Sequence, residues 1–111
     1  MPPRSTPTPL PVAHALREIS AHLATWRRLR NLTIAQVAER AGISVPTARG
    51  IENAAGSPSL ENVLRVARVL GVLDQIASAM DPYESDVGRL RSDEKLPQRV
   101  RHPRPAKTDD D

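Results

Sequence analysis

The sequence predicts an all-α fold. Five helices lie between residues 12 and 80, after a disordered arm at 1–11 and before a mostly irregular, partly disordered tail at 81–111. Three observations carry this. The 111 residues include no Phe, one Trp and one Tyr. A core must then come from Leu, Ile, Val and Ala, which suits a small helical domain better than a sheet sandwich built on β-branched and aromatic side chains. Five of the eleven prolines fall within 1–11 and four lie from Pro82 onward, so only Pro46 and Pro58 interrupt the middle. In that middle, apolar residues recur at three- and four-residue steps.

The first helix is expected over about 12–30, where Leu16, Ile19, Leu23 and Trp26 form one stripe. Asn31 follows, and Asn tolerates the left-handed conformation that ends helices. The second helix starts at Thr33, which with Gln36 makes a T-x-x-Q capping box. Val37, Ala38 and Ala41 are expected to face inward, and Gly42 to stop the helix. Ser44 caps the third helix, and Pro46 sits in its first turn, where a missing N–H costs nothing. That helix runs to about Asn53 with Ala48 and Ile51 buried. Ser57-Pro58 is a turn, and Ser59 caps a fourth helix over 60–70 with Leu60, Val63, Leu64, Ala67 and Leu70 as its stripe. Gly71 ends it. A fifth helix over about 73–80 presents Ile76, Ala77 and Met80.

The net charge is +3, with fourteen arginines among the sixteen basic residues. Arginine suits phosphate or carboxylate partners because its planar fork binds them bidentately. A solvated charged surface explains so small a net charge equally well. The absence of Cys excludes disulfides, thiolate metal sites and a Cys nucleophile. The first residues have no apolar run of the signal-peptide type, and no stretch approaches the roughly 18 apolar residues of a membrane span. The expectation is a cytoplasmic protein. His14, His22 and His102 have no metal-ligand spacing, and neither a phosphate loop nor a nucleophile–base pair is evident. The sequence therefore predicts no enzyme, no metal and no cofactor.

The stretch ISVPTARGIEN, 43–53, holds the functional question. Together with Arg27, Leu32-Thr33, Ala38, Gly42, Ala48, Ile51-Glu52 and SPSLENVLRVARVLGV at 57–72, it resembles the Cro/CI/Xre family of helix-turn-helix regulators, whose domain is lambda-repressor-like. The resemblance covers about 16–80. It implies double-stranded DNA as the partner, with the third helix in the major groove. Carried over by position, the base-facing residues are Ile34, Val45, Pro46, Thr47, Arg49 and Gly50. Candidate phosphate contacts are Thr33, Gln36, Ser44, Asn53, Ser57 and Ser59, several of them at helix N-termini. Arg27 and Glu52 match a structural ion pair. The family usually places polar residues, often Gln, at several of the base-facing positions and ends the third helix in Gly; this chain has Ala54 there and Gly56 later, so the resemblance implies an extended or frayed end of that helix. Ile34, Val45 and Pro46 offer only apolar contact, for example to thymine methyls. Arg49 is a candidate for guanine, for a phosphate, or a free surface residue. Gly50 is either a site of close DNA approach or a tolerated cost of about 1 kcal/mol. Thr33 and Ser59 can act as caps alone.

The resemblance further implies a homodimeric, autoregulating repressor on a palindromic site with half-sites about 34 Å apart. The fifth helix and the tail are the expected dimer surface. The tail, with Leu90, Leu96 and Val100 spaced among arginines, looks like that of HipB-like antitoxins, which would add a HipA-type kinase toxin as partner. A solubilising tail and a basic arm over 99–107 along DNA phosphates are the alternatives. A protein-binding adaptor that keeps the fold without DNA readout would also account for the Val-Pro-Gly face.

Overall fold

A computed structural model describes residues 6–95. The expected arm is thus described only from residue 6. Leu96, Val100, His102 and the basic stretch 99–107 lie outside the described residues. The chain divides into two compact units, Met1–Gln75 and Ile76–Asp111.

The first unit contains α1 (Leu10–Leu29), α2 (Ile34–Ala41), α3 (Val45–Glu52) and α4 (Leu60–Leu70), and α5 (Leu73–Ala79) carries the chain into the second. Among the described residues there are no strands. Each turn follows from local chemistry. Asn31 takes a left-handed φ of 58° after α1. The Thr33 hydroxyl accepts from the Gln36 N–H, and the Gln36 side chain accepts from the Thr33 N–H, closing the capping box. Ser44 and Ser59 cap α3 and α4.

The core of this unit is small and aliphatic. Leu23 and Ala24 of α1 meet Val37, Ala38 and Ala41 of α2, Ala48 and Ile51 of α3, and Val66, Ala67 and Leu70 of α4, with Val72 beyond. Ala38 and Ala67 are 1% and 0% exposed. Side chains this small let helices cross closely, because one more methylene in a packed interior forces neighbours off their rotamers.

Several sequence expectations shift. Helix α1 starts two residues earlier than expected, because Pro11 falls in a first turn, where it is compatible with helix. Its burial begins only at Ser20, and Ile19 is 49% exposed. Twenty residues span about 30 Å, whereas the eight-residue α2 and α3 span about 12 Å each. So short a layer covers about half of the stripe. Leu60, at the first position of α4, is exposed, and the buried stripe of α4 is Val66, Ala67 and Leu70. Ala77 and Met80 are also exposed.

In the second unit, residues 82–95, part of the segment expected to be irregular, are largely helical. A 3-10 turn, Pro82–Glu84, leads into α6 (Asp86–Lys95). The Ser85 hydroxyl accepts from the Gly88 N–H, and Arg89 donates to the Tyr83 carbonyl and pairs with Asp86. Gly88 lies against the Pro82 carbonyl so closely that any side chain there would overlap it.

Candidate nucleic-acid interface

The site is built on the α2–turn–α3 unit. Gly42 ends α2 with φ 73°, a conformation that costs a residue with a Cβ about 1–2 kcal/mol. A Cβ at this position would also press on the Arg65 guanidinium, 3.1 Å away. The Ile43 N–H returns to the Ala38 carbonyl at 3.0 Å, and Ser44 opens α3 with its hydroxyl accepting from the Thr47 N–H.

The orientation of α3 is set by burial on one side and an ion pair at its end. Ala48 and Ile51 are buried. Arg27 Nε donates to Glu52 Oε2 at 2.6 Å, Arg27 Nη2 to Oε1 at 3.3 Å, and Nη1 to the Leu32 carbonyl at 2.9 Å. One guanidinium thus joins the end of α1, the 30–33 turn and the end of α3.

With that side fixed, the opposite stripe follows from helical spacing. Positions 46, 49, 50 and 53 are related by i, i+3, i+4 and i+7 and lie away from Ala48 and Ile51. Pro46, Arg49 and Asn53 are exposed and Gly50 is half-buried. Among the described residues, Arg49 has no hydrogen-bond or ion-pair partner. Thr47 lies beside the stripe, half-buried, and Ile34 and Val45 are half-buried at the starts of α2 and α3. A groove runs along one side of the stripe, from Pro46, Thr47 and Gly50 to Ser57, Ser59 and Asn62.

The hydrogen-bonding inventory separates the polar candidates. The Ser44 and Thr47 hydroxyls share a hydrogen bond at 2.8 Å, so one proton of the pair is used between them and the other is left to donate at the start of α3. Thr33 and Ser59 accept cap bonds and keep their protons. Gln36 accepts through Oε1, which leaves its amide NH2 to donate. Asn53 and Ser57 are exposed. Asn62, on the groove wall, is a polar group that sequence reasoning missed. Its signal was its place in the first turn of α4, three residues after the Ser59 cap.

The arginine excess divides in the same way. Arg30 Nε donates to the Leu70 carbonyl at 3.0 Å, with its guanidinium 5.3 Å from the Trp26 ring centroid. Arg65 Nη1 donates to the Ala41 carbonyl at 3.1 Å. These two arginines satisfy the open C-terminal carbonyls of α4 and α2, and Arg27 holds Glu52. Three arginines therefore serve the fold, which weakens arginine count as a sign of an anionic partner.

The end of α3 is neither extended nor frayed. Ala54 adopts φ 53°, its N–H bonds the Ile51 carbonyl, and the Ala55 N–H bonds the Gly50 carbonyl at 2.9 Å. This is a Schellman closure with alanine where glycine is usual.

A family model described as helix-turn-helix, of the Cro/CI/Xre type, matches residues 23–73, from α1 to the start of α5. No curated protein and no solved structure matches the chain. The match supports a DNA-binding transcription regulator. No helix among the described residues is long and apolar enough to cross a membrane.

Proposed function

We propose that the chain is a sequence-specific DNA-binding regulator that represses its own gene as a cytoplasmic homodimer on a palindromic site. The observation that carries this reading is the outward stripe of α3. It offers Arg49, unpartnered among the described residues, and an exposed Asn53 on a helix anchored from behind by Ala48, Ile51 and Glu52. Arg49 is the group suited to a base edge, with guanine O6 and N7 as its bidentate target. Thr33, Gln36, Ser44, Asn53, Ser57 and Ser59 are assigned to phosphates, with the Ser44–Thr47 hydroxyl pair as the donor at the start of α3. A HipA-type kinase as partner is supported only by the resemblance of the tail.

Fluorescence anisotropy against the DNA upstream of its own gene and against random duplex, across a salt series, tests the reading. A preference of about a thousandfold or more is expected of a specific repressor. Equal, steeply salt-dependent binding to both duplexes would make the chain a non-specific binder. No binding to either would favour the protein-binding adaptor, the reading that the apolar Pro46 and the bare Gly50 otherwise suit.

A further inference from the structure

We infer that the Pro46–Gly50 face of α3 selects thymine, by contact with its C5-methyl group in the major groove. The inference rests on the DNA-binding reading above and adds the base that the apolar centre of the stripe recognises.

The chemistry at that centre is restrictive. Pro46 is exposed and has no hydrogen-bonding side chain, and Gly50 has no side chain at all. Discrimination of guanine, cytosine or adenine by hydrogen bonds would need a donor or acceptor here. The methyl of thymine is the apolar group on the base-pair edges of the major groove. Arg49 and Asn53 flank this centre on the same stripe, where they can reach polar edges or phosphates beside it.

The space at Gly50 is equally informative. A Cβ built there meets only the Ala55 carbonyl oxygen, at an ordinary 3.9 Å. The fold therefore accepts alanine at 50, and alanine, the better helix former, would stabilise the helix. Folding gives no reason for glycine at this place. A base methyl seated in the notch does give one. Positions 46 and 50 are one helical turn, about 6 Å, apart, which spans roughly two base steps of about 3.4 Å. The selected thymines should occupy one or two adjacent positions in each half-site.

The test uses the full chain. Its preferred duplex is enriched from a random pool, and each thymine is then replaced in turn by uracil. Uracil lacks the methyl and keeps the pairing and the groove hydrogen bonds. Anisotropy should show about fourfold weaker binding for uracil at one or two adjacent positions per half-site, the worth of one buried methyl, and no change elsewhere. Gly50→Ala should melt at or above the parent temperature. It should bind the enriched duplex about tenfold more weakly, as expected of an overpacked contact, and lose the sensitivity to uracil. An enriched duplex indifferent to every uracil overturns the thymine inference alone. So does a Gly50→Ala protein that keeps both the affinity and the uracil sensitivity of the parent. Failure to enrich any duplex overturns the DNA reading and the inference together.

Discussion

Replacing Glu52 with Ala leaves the Arg27 guanidinium with the Leu32 carbonyl as its remaining partner. Arg27 and Glu52 side chains are 16% and 12% exposed, and the pair closes through two N–H···O contacts. Breaking a buried pair on one side costs about 3–5 kcal/mol, because a charge stays behind without its partner. The residual exposure places this pair at the lower end, about 3 kcal/mol. For a domain of this size 1 kcal/mol corresponds to roughly 4–8 °C, so the melting temperature should fall by about 12–24 °C. Far-UV circular dichroism during heating reads the loss. Replacing both partners by apolar residues, Arg27→Met with Glu52→Leu, should recover most of it, since the penalty lies in the unpaired charge. A Glu52→Ala protein that melts within about 4 °C of the parent, the equivalent of 1 kcal/mol, would refute the pair as the anchor of α3.

Three further outcomes are expected. Ala54→Gly should stabilise the fold by about 1 kcal/mol, because the left-handed φ of 53° is strained for alanine and free for glycine; an unchanged or lower denaturation midpoint would contradict that backbone. Arg49→Ala should lower affinity for the preferred duplex by about 1–3 kcal/mol while changing binding to random duplex little; an unchanged specific-to-random ratio would reassign Arg49 to phosphate. Ser59→Ala should cost about 1 kcal/mol in urea denaturation through loss of the bond to the Asn62 N–H, and an unaffected midpoint would remove Ser59 as the cap of α4.

What the sequence disclosed was largely local. Thr33 with Gln36, Gly42, Ser44, Ser59 and Gly71 are residues whose own chemistry ends or starts a helix, so their positions mark the boundaries directly. Ala38, Ala48 and Ile51 are buried for the same kind of reason, since period and size suffice to place them. The misjudged features depend on neighbours far along the chain. Ile19 belongs to an apolar stripe, yet its burial depends on the length of the layer packed on α1. Arg30 and Arg65 meet the carbonyls of Leu70 and Ala41, 40 and 24 residues away, and no pattern around either arginine announces such a partner. Helix α6 carries Val87 and Leu90, both exposed, among mostly charged neighbours, so it lacks the apolar stripe by which the other helices were recognised. At the candidate site, the residues of the outward stripe were legible from position. The hydrogen bond between the Ser44 and Thr47 hydroxyls and the open space at Gly50 required coordinates.

The most direct test of the central claim is amide chemical-shift mapping of the labelled chain during titration with its preferred duplex. If the outward stripe of α3 reads DNA, the largest changes should fall on Thr47, Arg49, Gly50 and Asn53, with smaller ones at Thr33, Gln36, Ser57 and Ser59. Changes centred on α1 or α6 that leave Arg49 and Gly50 unmoved would contradict it.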